Sequence, residues 1–339
     1  MQIHRVTKLP EDRSPLLQAG IPSPHPGDRE VLISVSVCGV CHTDLDEIEG
    51  RLAPPRFPVV PGHQVVGRVE EKGSSVSSVG VGQRVGVAWI YSACGQCRFC
   101  RDGDENLCPE FRATGRDVNG GYAPLIVAHE DFVHPLPGIF SDVEAAPLLC
   151  AGAIGYRSLR LAGIRDGDTL GLTGFGASAH LVLKMVNHMY PRSRVCVFAR
   201  GESERAFARE LGAAWTGDTR ERTPWKLRAI IDTTPAWGPV LGALGNLEPG
   251  GRLVINAIRK EEADKNLLLG LDYPSHLWME KEIKSVANVT RRDIREFLSL
   301  AASIPLRPET IEFPLARANE ALLGLKAGSV RGATVLRVS

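Results

Sequence analysis

Between about residues 169 and 256 the chain repeats one unit, a short apolar strand followed by a helix, and that alternation leaves few folds open. Thr169-Leu-Gly-Leu-Thr173, Arg194-Val-Cys-Val-Phe198, Ala229-Ile-Ile-Asp232 and Arg252-Leu-Val-Ile-Asn256 read as strands, with helices expected from 177, from 202 and near 237. Strands joined this way lie parallel, because a crossover helix returns the chain to the same end of the sheet, and helices cover both faces.

The text from about 30 to 140 has a different period. In Glu30-Val-Leu-Ile-Ser-Val-Ser-Val-Cys38 the residues Val31, Ile33, Val35 and Val37 share one face, and short strands with glycine turns at Gly67, Gly73, Gly80, Gly82 and Gly86 imply a small antiparallel barrel or sandwich. After about 288 the chain is expected to return to this first region and end on the strand Ala333-Thr-Val-Leu-Arg-Val-Ser339. The expected domains are 1–146, with a lobe at about 92–110, then 147–288, then 289–339 as the return.

A formal net charge of +1 offers no footprint for nucleic acid or an anionic membrane. No apolar run reaches the roughly 20 residues that span a bilayer, and the first residues lack the apolar core of a secretory signal. A soluble cytoplasmic protein is expected.

Cys94, Cys97, Cys100 and Cys108 take four of the eight cysteines. Two-residue gaps let successive sulfurs converge about 2.3 Å from one centre, which suits tetrahedral zinc with four thiolates. Disulfides fit poorly, since a chain this long buries a core without staples. An iron–sulfur cluster is the nearer rival, because Cys-x2-Cys-x2-Cys opens a ferredoxin run. That run reaches Cys-Pro after three residues, whereas here a seven-residue loop, 101–107, precedes Cys108-Pro109. A closed four-thiolate cage has no place for a substrate, so its role is structural and the chemistry lies elsewhere.

Gly174-Phe-Gly176-Ala-Ser-Ala179 follows an expected strand and opens an expected helix, the setting of a dinucleotide fingerprint. Gly174 would make the turn, Gly176 would let backbone approach a pyrophosphate, and Ala179 would pack helix on strand. The second strand ends at Phe198-Ala199-Arg200, where an acidic side chain usually holds the ribose hydroxyls of NAD. Ala199 cannot accept that bond, and Arg200 could pair with a 2′-phosphate, so NADP is favoured over NAD. The alternative is a solvated Arg200 with Glu202 or Glu204 on the ribose.

Cys41, His63 and Cys150 could form an open thiolate–imidazole–thiolate zinc site, but their spacing does not join them. Singly, each reads as a buried thiol or a turn residue.

The order of Cys41-His42-Thr43-Asp44, Gly62-His63 with Gly67, the four-cysteine run, Leu149-Cys150-Ala-Gly and the Gly174 fingerprint resembles the zinc-dependent medium-chain alcohol dehydrogenases over nearly the whole chain. The resemblance implies an α/β fold, with a GroES-like β-barrel catalytic domain and a Rossmann doubly wound parallel-sheet nucleotide domain. It implies two zinc ions per chain, a catalytic one on Cys41, His63 and Cys150 and a structural one on Cys94, Cys97, Cys100 and Cys108. Asp44 then matches the carboxylate behind the liganding imidazole, and Thr43 the hydroxyl that takes the alcohol proton. His42 and Arg331 match positions facing the coenzyme pyrophosphate. Trp89 matches a pocket aromatic, with ordinary core packing as its other reading. The implied reaction is reversible hydride transfer between a primary or secondary alcohol and NAD(P), giving an aldehyde or ketone, in a homodimer or homotetramer.

Two positions depart from that pattern. Gln64 stands where the family has glutamate, which changes how ligands exchange at the metal. Asp46, beside Glu47, stands where a histidine often ends the proton relay. These departures keep open a catalytically impaired zinc- and nucleotide-binding protein of the same fold. A zinc-free quinone or enoyl reductase is the other alternative, against which the retained Cys41, His63 and Cys150 speak.

Overall fold

The computed structural model describes residues 1–328 and 332–339, which divide into two compact units, Met1–Ala153 with Val289–Ser339, and Ile154–Asn288. Arg331 lies outside the described residues.

The first unit is built on a seven-stranded sheet in the order Thr310–Pro314, Ala333–Arg337, Glu30–Val40, Gln64–Lys72, Arg84–Val87, Val133–Pro135, with Leu125–His129 also paired to Glu30–Val40. Val31, Ile33 and Val35 enter one apolar core with Val65, Val69, Val85 and Leu336. The strands of residues 30–140 in this sheet pair antiparallel, as expected there, and the return segment adds one parallel pairing, Thr310–Pro314 with Ala333–Arg337. Two of the expected glycine turns are strand interiors. A Cβ on Gly67 would meet Ser34 O at 2.1 Å, and one on Gly86 would meet Leu149 Cδ1 at 2.7 Å. Both glycines therefore mark close approach of neighbouring chain rather than reversal of direction.

The second unit holds a six-stranded parallel sheet, ordered Trp215–Gly217, Arg194–Phe198, Thr169–Thr173, Leu227–Asp232, Leu247–Ile255, Glu282–Ser285. Its central strands are buried almost throughout, as a sheet covered on both faces requires. The strand order reverses between Thr169–Thr173 and Leu227–Asp232, and ligands of such sheets bind outside the carboxyl ends at that point. Among the described residues no helix is long and apolar enough to cross a membrane.

Candidate active site

Strand register explains why Cys41 and His63 meet. Gly39 pairs with Gln64 across antiparallel strands, so the residue that ends one strand and the residue that begins the other emerge side by side. Cys41 then caps the helix His42–Ile48: its Sγ accepts the Thr43 N–H at 3.4 Å, and its own N–H donates to Asp44 Oδ2 at 2.8 Å. This reciprocal box satisfies helix-end donors and locks Thr43 and Asp44 beside the thiol.

Cys150 arrives on a turn of π-helix, Leu148–Gly152, directly after Pro147. Proline has no N–H to continue an α-helical ladder, and single π turns often mark functional positions. Two contacts set its depth. Leu149 packs against Gly86, and Gly152 leaves the space that the Phe297 ring fills, where a Cβ would stand 2.4 Å from Cζ.

The result is a cluster in which one ligand atom each from Cys41, His63 and Cys150 lies within 4.8 Å of the others. Cys41 Sγ is 3.2 Å from His63 Nε2. On the far side of the ring, His63 Nδ1 faces Asp44 Oδ1 at 3.7 Å, and both residues are buried. Two sulfurs and an Nε2 imidazole backed by a carboxylate fit zinc with one open position.

The electrostatics carry the same sign. Hydrogen bonding from Cys150 and the neighbouring His63 hold Cys41 well below the ordinary thiol range, while that bond and burial push Cys150 well above it. Burial alone would lower His63, but the charges of Cys41 and Asp44 outweigh it and raise the ring to about 10. Burial lifts Asp44 to about 7.

The second cysteine group is Cys94, Cys97, Cys100 and Cys108, whose sulfurs also lie within 4.8 Å of one another. The short helix Arg98–Asp102 starts at Cys97 and ends on Gly103 in the left-handed conformation, φ 79°, which turns the chain back toward Cys108. The Cys97 N–H donates to Cys94 Sγ at 3.4 Å, and the Cys94 N–H to Cys108 Sγ at 3.5 Å. Amide donors from Gln96 and Cys97 lower Cys94 to about 7, while burial raises Cys100 to about 12. Buried Glu105 ties the lobe down by accepting the Arg291 N–H at 2.7 Å and Nε–H at 3.0 Å.

The remaining cysteines, Cys38 and Cys196, are fully buried on strands. Asp46 accepts from Arg51 Nε at 2.5 Å. His42 is exposed, and Trp89 packs on Phe111 with ring centroids 5.6 Å apart. Glu47, fully buried with neither carboxyl oxygen hydrogen-bonded among the described residues, went unassigned in the sequence. Its one signal there is an acidic residue three positions after Asp44, on the same helical face.

In the second unit Gly174 follows the strand Thr169–Thr173 with φ 79°, a conformation that disfavours a side chain, and a Cβ there would meet Thr233 Oγ1 at 2.8 Å. Gly176 caps the helix Ala177–Met189, and a Cβ there would meet nothing within 4 Å among the described residues. Ala179 is fully buried under the helix. At the end of the second strand Ala199 is buried and Arg200 exposed. Glu202 is held by Arg205 Nε at 3.0 Å and by Arg209, and Glu204 accepts the Gly201 N–H at 3.2 Å. Also unassigned in the sequence was Asp232, fully buried and paired with Lys260, whose Nζ also donates to Thr234 O at 2.7 Å and Ala236 O at 2.9 Å. Distance along the chain hid that pair.

Comparison with known proteins agrees with this architecture. Residues 27–138 match the alcohol dehydrogenase GroES-like domain. The chain is 42% identical over 334 residues to a probable alcohol dehydrogenase, AdhA, of Mycobacterium tuberculosis, covering 97% of this chain and 94% of that one. It is 32% identical over 318 residues to an alcohol dehydrogenase of Geobacillus stearothermophilus, with 91% of each covered. Among solved structures, a cinnamyl alcohol dehydrogenase of Sorghum bicolor superposes with a TM-score of 0.82 at 27% identity, covering 94% of this chain and 92% of that one. The chain belongs to the zinc-type medium-chain alcohol dehydrogenase family, with its GroES-like domain and Rossmann parallel sheet.

Proposed function

We propose that the protein is a zinc-dependent alcohol dehydrogenase that interconverts primary or secondary alcohols with aldehydes or ketones and prefers NADP to NAD. The observation that carries this reading is the convergence of Cys41, His63 and Cys150, with Asp44 behind the imidazole. When bound, zinc supplies a Lewis-acid charge at the alcohol oxygen and the nicotinamide ring accepts the hydride.

The protein's own groups supply the rest. Asp44 Oδ1, 3.7 Å from His63 Nδ1, would take the Nδ1 proton as acceptor in the metal-bound site and leave Nε2 to ligate. Thr43 Oγ1, fixed in the first turn of its helix, takes the alcohol proton, and Asp46 is the next acceptor, its carboxylate shared with Arg51. The helix N-terminus at Gly176 receives the pyrophosphate. Arg200 pairs with the 2′-phosphate, since Ala199 offers no side-chain acceptor and Arg200 is exposed at the end of the strand. The four-cysteine lobe binds a second, structural zinc.

Steady-state rates on a panel of primary, benzylic and secondary alcohols with NADP and NAD, alongside zinc analysis, test this reading. Two zinc ions per chain with kcat/KM at least about tenfold higher for NADP support it, a ratio that one charge-assisted bond to phosphate supplies. Zinc without alcohol-dependent turnover would overturn the activity, and equal use of NAD would overturn the role of Arg200.

A further inference from the structure

The amino-terminal edge of the parallel sheet, opposite the edge that carries Gly174 and Arg200, borders an open pocket of about 640 Å³. Small-molecule sites commonly run from about 300 to 1,000 Å³. Segments that precede Leu227–Asp232, Leu247–Ile255 and Glu282–Ser285 form it, and its walls carry Arg222, Lys226 and Lys281 with the indoles of Trp225 and Trp278.

The charge in this cavity is all of one sign. No acidic residue lines it, and among the described residues none of the three cations is ion-paired with a carboxylate. The lysines spend part of their donor capacity on backbone: Lys226 Nζ donates to Gly245 O at 3.1 Å, and Lys281 Nζ to Leu244 O at 3.1 Å and Ser275 O at 2.7 Å. The bonds to Leu244 O and Gly245 O cap the C-terminus of the helix Gly238–Asn246 and account for the lysines in part. They leave Arg222 unexplained. Its guanidinium lies over Gly245, where a Cβ would stand 1.8 Å from Nη1, so a glycine in that helix turn makes room for the arginine.

The loop carrying Arg222 is held in place. Buried Asn246 accepts the Thr223 N–H at 3.1 Å through Oδ1 and donates through Nδ2 to Glu221 O and Gly242 O, each at 3.0 Å. Three cations held together without counter-charge repel one another, and burial together with Lys226 and Arg222 lowers the Lys281 ammonium. A ligand phosphate relieves that repulsion, and Arg222 meets it bidentately. Beside the charges, Trp278 is 55% exposed, with the Tyr273 ring centroid 5.9 Å from its own, while the Arg194 guanidinium lies 5.0 Å from the Trp225 ring centroid. Aromatic faces next to unpaired cations suit a ring joined to a phosphate.

We propose that this cavity binds a phosphate-bearing ligand with a flat ring, the chemistry of a nucleoside monophosphate, at a site separate from the coenzyme fingerprint. Arg222 is outside the residues assigned to the reaction, so loss of this binding and loss of turnover are separable.

Calorimetric titration of the zinc-loaded protein with AMP, adenosine and inorganic phosphate tests it. The expected result is a class of AMP sites, one per chain, whose affinity falls at least tenfold in Arg222→Ala and is kept in Arg200→Ala, with melting temperature and molar mass unchanged in Arg222→Ala. Inorganic phosphate should compete, and adenosine should bind at least tenfold more weakly than AMP. Arg222→Ala binding AMP as the unmodified protein does would overturn the proposal. So would equal affinity for adenosine and AMP, or equal affinity for phosphate and AMP. A changed molar mass in Arg222→Ala would assign the cations to a contact between copies and overturn it as well.

Discussion

His63 Nδ1 faces Asp44 Oδ1 at 3.7 Å, and neither atom has a hydrogen-bond partner among the described residues. Asp44 serves two structures at once, since its other oxygen accepts the Cys41 N–H and closes the helix cap. One carboxylate thus positions the nitrogen ligand and the first sulfur ligand together.

Asp44→Asn keeps an acceptor for the cap but removes the charge behind the imidazole. Zinc affinity at Cys41, His63 and Cys150 should fall roughly 10- to 100-fold, as for other carboxylates behind liganding histidines. Asp44→Ala should add a loss of about 1 kcal/mol from the cap. Competition with a chromogenic chelator measures the first and denaturant unfolding the second. Unchanged zinc affinity in the asparagine variant would remove Asp44 from the metal account.

Arg200→Ala should raise KM for NADP about tenfold or more and leave KM for NAD nearly unchanged, because only the 2′-phosphate loses a partner. A parallel rise for both coenzymes would mean that Arg200 acts on the shared part of the nucleotide.

Acid should weaken the first unit in two stages. Buried His134 is held neutral: burial first, then Arg295 and Arg291, lower it from 6.5 to about 3. An unfolded chain takes up that proton below pH 6.5 and the folded one does not, so stability is full above 6.5 and declines as pH falls toward 3. Glu130 accepts the N–H groups of Ser77 and Ser78 and a bond from Arg29, which lower it from 4.5 to about 2. Its contribution is full above 4.5 and is lost as pH falls toward 2. Denaturant unfolding from pH 7 to 5 should therefore show a decline that His134→Leu reduces by up to about 1.4 kcal/mol per pH unit. An identical slope in the variant would exclude His134 as its source.

The parallel sheet was legible because strand and helix periods alternate within single turns of chain, and the turn at Gly174 because its φ of 79° favours glycine. The four-cysteine lobe was legible for the same reason, all its ligands falling within one short loop. Residues 27–138 hid more. Gly67 and Gly86 read as turns because a glycine admitted for close packing looks, in sequence, like a glycine admitted for a turn. Cys150 reaches Cys41 and His63 only through packing of Leu149 on Gly86 and of Phe297 on Gly152, contacts that no local period encodes. Family resemblance, rather than spacing, joined those three ligands. Lys260 and Asp232 had no such help, and their pairing emerged only from the fold.

The division of labour between the two cysteine groups is tested most directly by zinc content and turnover of Cys150→Ser set beside Cys100→Ser. The account predicts that Cys150→Ser keeps one tightly bound zinc per chain, melts like the unmodified protein and loses alcohol-dependent reduction of NADP. Cys100→Ser should lose the zinc of the lobe and melt earlier. Cys150→Ser retaining both zinc ions, or retaining turnover with one, would contradict the assignment of Cys41, His63 and Cys150 as the catalytic centre.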